Sequence, residues 1–238
     1  MFQLFSTPGW FNGWDIVFDG LTLIIALIIA GYSLRIYRFS KENKYAYFSL
    51  AFVLIAIASL FKMVTQGLVY FVPLRDTAAA ILVPIVGGRP SNVNYSDLFF
   101  RAGFLMNMLT MLGAWLLLFF ISQKKEGRLR KYYEVSQIGL YVYFVGLISF
   151  VANFKYTVFY LTSAVILGLT VLNYYKNYLN ANRNVNTFKV MLAFMFMLFA
   201  NIFFVFVFIS ENFYFVGEVL LLLGFLGLMD TYRKTVKK

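Results

Sequence analysis

The chain has 238 residues, of which 61% are hydrophobic and only 13% charged, with 21 basic residues against 10 acidic ones. A soluble domain carries about 25% charged residues, so this composition excludes an ordinary water-soluble fold. The absence of cysteine and histidine excludes disulfides, thiolate or imidazole metal sites, and Cys or His nucleophiles. No motif of a known enzyme class is present. We therefore expect no enzyme, no metal site, no cofactor and no cleavable signal peptide.

Apolar runs recur along the whole chain, and each is long enough to cross a hydrocarbon core of roughly 30 Å as a helix. They predict an all-α integral membrane protein, with residues 1–238 forming one domain of seven transmembrane helices. The predicted helices are 14–37, 46–72, 97–122, 135–152, 156–176, 188–210 and 214–232. Between the second and third helices, residues 73–96 contain an apolar stretch too short to span, which predicts an interfacial segment or a flap over the outer mouth.

The basic residues predict how this bundle lies in the membrane. Most of them follow the first, third, fifth and seventh helices, as Arg35 and Arg38 follow the first and Arg233 and Lys234 the seventh. Basic loops stay on the cytoplasmic side, so we expect the N-terminus outside and the C-terminus inside the cell membrane. The basic inner face is expected to meet anionic lipid headgroups, and no nucleic acid is expected to bind.

An internal repeat is predicted from two alignments of the chain with itself. A shift of 142 residues brings residues 32–61 onto 174–203 without a gap, and "LAF" at 50–52 then meets "LAF" at 192–194. A second offset superimposes two glycines of the third helix on two of the seventh, namely Gly103 and Gly113 on Gly217 and Gly227. Helices 1–3 and 5–7 would run in the same direction, so the pattern predicts a parallel repeat of three, one and three helices.

This plan is similar in topology to two known arrangements, the sugar-exporter-like transporters and the microbial-rhodopsin-like proteins. All four prolines lie outside the predicted helices: Pro8, Pro73, Pro84 and Pro90. The proline hinges on which a rocking transporter often bends are therefore missing. In microbial rhodopsins the retinal lysine lies on the seventh helix, and here that helix has no lysine before Lys234. A covalent retinal is therefore not expected.

Polar side chains inside the spans predict a site, because an ionisable residue is costly there and by default indicates function. Lys62 falls near the midplane and shares a helical face with Ser59 and Gln66. The predicted site comprises seven side chains on helices 1, 2, 3 and 7: Asp19, Ser59, Lys62, Gln66, Arg101, Asn107 and Glu218. Its two acids and two bases predict a charge-balanced cavity that opens outward and binds a small polar ligand or an ion. The alternative is a set of structural ion pairs between helices.

Three classes of function fit these observations. The first is a receptor- or sensor-like protein that binds a small polar ligand in an outward-facing pocket and acts through a separate protein partner. The second is a transporter or channel for a small solute or ion, which a continuous polar route through the inner half would favour. The third is a non-catalytic accessory subunit of a membrane complex, in which the intramembrane charges are simply paired.

Overall fold

The computed structural model describes residues 7–71, 73–74, 77, 80, 95–123, 130–180 and 184–236. Within these residues seven long helices follow one another: α1 (Trp14–Ser40), α2 (Asn43–Tyr70), α3 (Tyr95–Ser122), α4 (Arg130–Gly146), α5 (Tyr156–Asn180), α6 (Val185–Val205) and α7 (Asn212–Val236). Three short helical pieces flank them: a 3-10 turn Gly9–Phe11, a π-helical segment Leu147–Val151 and a 3-10 turn Phe206–Phe208. Most of the predicted flap over residues 73–96 lies outside the described residues.

The helices have the length and composition of membrane spans. Six of them (α1, α2, α3, α5, α6 and α7) are long and apolar enough to cross a membrane, and α4 contributes a shorter apolar helix, Ile138–Val151. The prediction of an all-helical membrane bundle is thereby confirmed in its main features. The orientation of the bundle and the internal repeat stay predictions.

The connection between α1 and α2 shows how the chain reverses within two residues. Lys41 adopts a left-handed conformation with a φ of 56°, and its backbone N–H donates to the carbonyl of Tyr37 at 2.8 Å. This is a common way for a helix to end, because it satisfies one of the carbonyls left open by the last turn. α2 then begins at Asn43 and runs back alongside α1.

Six helices form a closed ring. α1 packs on α2, α2 on α3, α3 on α5, α5 on α6, α6 on α7, and α7 returns to α1. Contacts are extensive within α1–α3, the first triplet, and within α5–α7, the second triplet, and they are smaller at the two junctions α3–α5 and α7–α1. α4 packs mainly against α3, where the hydroxyl of Tyr141 donates to the carbonyl of Leu109 at 2.8 Å. The chain therefore builds two triplets that face each other, with α4 outside the ring.

The ring has two ends, which we name after the chain termini. At the amino-terminal end, the start of α1 meets the end of α2, and the Tyr70 hydroxyl donates to a carboxylate oxygen of Asp15 at 2.6 Å. At the carboxyl-terminal end, the start of α2 meets the end of α7, and the rings of Phe48 and Tyr232 stack at 4.7 Å between centroids. α2 thus runs antiparallel to both α1 and α7.

Small residues set how closely the helices approach. A Cβ atom on Gly224 of α7 would lie 2.9 Å from the carbonyl oxygen of Ala193 and 2.7 Å from Cγ of Met197, both on α6. The hydrophobic effect does not drive helices together within lipid. Membrane helices therefore depend on such close van der Waals contact. Gly224 therefore allows the backbones of α6 and α7 to approach, whereas Gly31 of α1 has no atom within 4 Å of its would-be Cβ.

Candidate functional site

Three intramembrane charges from three different helices meet inside the ring. The ammonium nitrogen of Lys62 on α2 lies 2.9 Å from Oδ1 of Asp19 on α1 and 2.7 Å from Oε1 of Glu218 on α7. The three side chains are almost fully enclosed, with 10%, 5% and 1% of their surfaces exposed, respectively. The ammonium also lies 5.6 Å from the centre of the Tyr214 ring, within the range of a cation–π interaction. We call these three charged residues the central network.

The antiparallel hairpin explains why Asp19 and Lys62 meet. Asp19 precedes the left-handed residue Lys41 by 22 positions and Lys62 follows it by 21. Two helices that reverse at Lys41 therefore carry both side chains at the same depth, since each residue advances a helix by about 1.5 Å. Glu218 comes from the first turns of α7, which begins at the same end of the ring as α1.

A small cavity of about 30 Å³ adjoins the central network. Every helix of the ring contributes to its lining, and the polar residues there include Asp19, Thr22, Ser59, Lys62, Asn107 and Asn201. A cavity of this size holds one or two water molecules or a monovalent cation, since a water needs about 10–15 Å³ by such a measure. It does not hold a larger ligand in this conformation.

Several buried polar atoms on the helices of the ring have unused hydrogen-bonding capacity. Within the described residues, no hydrogen bond is recorded for Oδ2 of Asp19, for either polar atom of the Gln66 amide, or for the Ser163 hydroxyl. A buried polar group left unsatisfied costs about 1–3 kcal/mol. Of these residues only Asp19 lines the small cavity, so its Oδ2 is the atom that a water, a proton or an ion in the cavity can bind.

The seven residues predicted from the sequence fall into different places. Asp19, Lys62 and Glu218 form the central network, and Ser59 and Asn107 line the cavity beside it. Gln66 is fully buried one helical turn above Lys62 and outside the cavity lining. Arg101 is exposed, near the start of α3. The network therefore holds two carboxylates and one ammonium, with a formal charge of −1, and the predicted ligand site formed by all seven residues stays a prediction.

Other contributors were not among the predicted residues. Tyr214 precedes Glu218 by one helical turn and brings its ring to the Lys62 ammonium. Tyr160 of α5 and Phe204 of α6 line the cavity and stack on each other at 4.6 Å between ring centroids. The four-residue spacing between Tyr214 and Glu218 was a usable signal. Nothing in the aromatic-rich sequence distinguishes Tyr160 or Phe204 from lipid-facing aromatic residues.

Aromatic side chains cover the amino-terminal end of the network. The turn Gly9–Phe11 inserts Phe11, which is only 1% exposed, against Phe18 of α1 and Phe215 of α7, at 5.5 and 5.2 Å between ring centroids. Phe18 and Phe215 precede Asp19 and Glu218 by one and three positions, so this cover lies directly beside the charges. The predicted outward opening stays a prediction, and in this conformation Phe11 packs against both of these rings.

A second and larger cavity, of about 380 Å³, lies at the carboxyl-terminal end of the ring. Along α2 its lining includes Lys44 and Phe48, whereas the small cavity begins at Ala58. Ten residues of helix separate Phe48 from Ala58, or about 15 Å. Fully buried apolar side chains occupy this interval on four helices: Phe52, Trp115, Phe194 and Phe225. The two cavities are thus separated by an apolar layer.

The described part of the chain holds no group of three or more His, Cys, Asp and Glu residues placed to bind a metal ion. Comparisons with protein-family models, with curated proteins and with solved structures found no match.

Proposed function

We propose that this chain is a membrane transporter for a small polar solute or ion, in which one positive charge, a proton or a monovalent cation, binds at the central network. The observation that carries the proposal is the 2.7 Å ion pair between Lys62 and Glu218. It joins the first triplet to the second deep inside the ring, so a charge that binds there acts directly on the contact between the two halves.

The arrangement of the helices supports this proposal. Each triplet is held together by extensive contacts, whereas the triplets meet only at the smaller junctions α3–α5 and α7–α1. Transporters built from two similar helical units expose a site near the bilayer midplane to each side in turn by moving one unit against the other. Here Asp19 and Lys62 belong to the first triplet and Glu218 to the second, so motion at the α7–α1 junction separates Lys62 from Glu218.

The charge of the network indicates what binds. Two carboxylates share one ammonium, which leaves a formal charge of −1 in surroundings of low dielectric constant. A net charge without a counter-charge raises the free energy in such surroundings, so the binding of one added positive charge would be favourable. A proton or monovalent cation on a carboxylate would weaken that carboxylate's attraction for Lys62. Binding would thereby loosen the contact between the triplets, which couples occupancy to movement.

The two ends of the ring differ, and the central network is shielded toward both of them in this conformation. At the amino-terminal end Phe11 packs against Phe18 and Phe215 beside the network, and at the carboxyl-terminal end the apolar layer separates the network from the cavity of about 380 Å³. Under the orientation predicted from the basic loops, this cavity lies on the inside, and a movement that parts the apolar layer would connect it to the network. The opposite conformation would separate Phe11 from α1 or α7.

Transport assays with purified protein in liposomes test the proposal. The probes are proton movement, followed with an entrapped pH dye, and uptake of radiolabelled sodium or rubidium ions. Liposomes with the natural chain should show movement of one of these cations above that in protein-free liposomes. Glu218→Gln should lower the rate at least tenfold, because it removes one carboxylate of the network. Glu211→Gln is the matched control, since Glu211 lies exposed just before the same helix. Equal rates in all four preparations would refute the proposal.

The apolar layer below the network favours a second candidate, the receptor- or sensor-like protein. Phe52 and Phe225 meet edge to face across this layer, at 6.1 Å between ring centroids, and a receptor has no need to open it. Such a protein would be stabilised against heat by a monovalent cation in a way that depends on Glu218, yet would move no cation across liposomes. The predicted protein partner, through which either a receptor or an accessory subunit would act, stays a prediction.

A further inference from the structure

We propose that the cavity at the carboxyl-terminal end of the ring is a binding site for a phosphate monoester. The cavity has about 380 Å³ and is walled by α2, α3, α5, α6 and α7, which is within the usual range of about 300–1,000 Å³ for small-molecule sites. Its polar lining is made of Lys44, Tyr45, Tyr174, Asn177, Thr187 and Tyr232. Hydrogen-bond donors dominate this set, which consists of phenol hydroxyls, an amide, an aliphatic hydroxyl and an ammonium.

Two of the tyrosine side chains are fixed in place and keep their hydroxyls available. The Tyr174 ring stacks on Phe194 at 5.0 Å and 12°, and the Tyr232 ring stacks on Phe48 at 4.7 Å and 22°. Among the residues that the structure describes, neither hydroxyl has a recorded hydrogen bond. Because packing already restricts these rings, an incoming acceptor would cost little side-chain entropy to bind.

The local charge selects an anion. α2 and α6 both begin at this cavity, and their first turns supply Lys44 and Thr187. The backbone N–H groups at the start of a helix carry a partial positive charge that favours anions. Lys44 adds an ammonium that is about half-exposed and paired with Glu42, so a bound phosphate would compete with that carboxylate for the ammonium. Further basic residues lie near the end of α5, near the start of α6 and in the last turn of α7: Lys176, Lys189 and Arg233, respectively.

A phosphate monoester fits this set better than a carboxylate or a neutral polyol. Its three terminal oxygens can accept hydrogen bonds from Tyr174, Tyr232 and Lys44 at once, and charge-assisted hydrogen bonds to phosphate are about twice as strong as neutral ones. The cavity has room beyond the phosphate for the group that it esterifies. This group could come from the membrane, as the headgroup of a lipid, or from a soluble phosphorylated compound. The site lies beyond the apolar layer from the central network, and the proposal is independent of the transport function.

Binding to the purified full-length chain tests the proposal. The soluble probes are inorganic phosphate and glycerol 3-phosphate, with glycerol as the unphosphorylated control. The lipid probe is phosphatidic acid in phosphatidylcholine nanodiscs, compared with pure phosphatidylcholine nanodiscs. Saturable binding by calorimetry, with a matching rise in the midpoint of thermal unfolding, is expected for at least one phosphate monoester. Saturation by glycerol 3-phosphate would identify a soluble ligand, and a response confined to phosphatidic acid would identify a lipid headgroup; either result supports the site.

Variants locate the binding within the cavity. Tyr174→Phe with Tyr232→Phe keeps both stacked rings and removes only the two hydroxyls, so it should raise the Kd at least tenfold. Lys44→Gln should act in the same direction. The matched controls are Tyr143→Phe, on the exposed surface of α4, and Lys234→Gln, on the exposed end of α7. Absence of saturable binding, or equal loss in the cavity and control variants, would overturn the proposal, because the latter indicates attraction to the basic surface alone.

Discussion

At the scale of single residues, the central network shows how a full positive charge is accommodated in a membrane-spanning helix. A lysine near the bilayer midplane costs several kcal/mol unless it is paired. Lys62 is paired twice, with Asp19 and Glu218, and its ammonium also faces the Tyr214 ring. The two carboxylate partners lie on different helices, α1 and α7. The pairing that satisfies the charge of Lys62 therefore also ties both of these helices to α2.

Replacing Lys62 alone should therefore destabilise the protein strongly. Lys62→Met leaves two buried carboxylates without their recorded ion pairs, and removing one member of a buried pair costs about 3–5 kcal/mol. The variant that also carries Asp19→Asn and Glu218→Gln removes all three charges and should recover most of this loss. The free energy of unfolding in detergent, measured with a chemical denaturant, checks both expectations.

A matched control separates this effect from the loss of any lysine. Lys234→Met removes an exposed ion pair with Asp230 on the surface of α7, where such pairs contribute about 0–1 kcal/mol. It should leave the unfolding free energy within that range. If Lys62→Met were as stable as Lys234→Met, the central network would contribute little to the free energy of unfolding. The presence of its three charges would then have to be explained by function and not by stability.

The residues of the network could be predicted in part. The cost of intramembrane charge identified Asp19, Lys62 and Glu218, and equal spacing from the turn at Lys41 could have paired the first two. The exposed position of Arg101 could not be predicted. A single sequence indicates how far along a helix a residue lies, but it does not indicate which way a side chain near the helix end points. The charge-balanced ligand cavity inferred from these four charges stays a prediction.

At the scale of helices, small residues decide which backbones come close. Gly224→Ala should destabilise the bundle by about 1–3 kcal/mol, because the added methyl would overlap the backbone of α6 at Ala193 and the side chain of Met197. Gly31→Ala makes the same chemical change within α1, where the added methyl meets no atom within 4 Å. It should be neutral or slightly stabilising, since alanine favours helix more than glycine does. Thermal unfolding of both variants in the same detergent provides the comparison, and equal shifts would contradict the assigned contact.

The turn Gly9–Phe11 acts as a cover for the central network, and this role predicts a change in access. Phe11→Ala removes the ring that packs on Phe18 and Phe215 and should admit water-soluble reagents to the cavity. The chain contains no cysteine, so Thr22→Cys supplies a single thiol in the cavity lining. Its labelling by a charged methanethiosulfonate reagent should become at least several-fold faster when Phe11→Ala is added.

The control for this experiment is Phe39→Ala, which removes an exposed ring at the far end of α1. It should leave the labelling rate of the Thr22→Cys thiol unchanged. Equal acceleration by Phe39→Ala would point to general loosening of the bundle, and no acceleration by Phe11→Ala would mean that the cavity is reached from another direction.

Hydropathy was sufficient to place the helices but not to arrange them. The predicted span 188–210 appears as α6 and a 3-10 turn between Val185 and Phe208, and the span 135–152 appears as α4 with its π-helical extension. Nothing in the sequence placed α4 outside the ring. Lipid-facing and protein-facing helices are equally apolar, and the strong exposure of Phe150 and Val151 becomes visible only in the structure.

At the scale of the whole molecule, the two triplets occupy corresponding places in the ring. The order around the ring is α1–α2–α3–α5–α6–α7. When the first triplet is exchanged for the second, this order is unchanged and the α3–α5 junction takes the place of the α7–α1 junction. The shift of 142 residues pairs Ser59 with Asn201, and the glycine alignment between α3 and α7 pairs Asn107 with Leu221. All four residues line the small cavity that adjoins the central network. The paired positions thus surround one cavity, which the sequence alone could not show, and the repeat itself stays a prediction.

If the triplets move as units, a cross-link between them should stop transport and a cross-link within one should not. Phe18→Cys with Phe215→Cys places two thiols across the α7–α1 junction, where the original rings are 6.4 Å apart. Phe203→Cys with Phe213→Cys places two thiols at a similar ring separation, 5.6 Å, inside the second triplet. A short bifunctional methanethiosulfonate joins either pair, and a reductant releases it.

Cation movement in liposomes should cease when the Phe18→Cys and Phe215→Cys thiols are joined, because the α7–α1 junction can then no longer open beside Lys62 and Glu218. Reduction should restore it. The link within the second triplet should leave the rate nearly unchanged, since α6 and α7 already pack closely along their length. Equal rates with the two links would mean that the halves do not separate at this junction, and the ion pair between Lys62 and Glu218 would then be a fixed support of the ring instead of a moving contact.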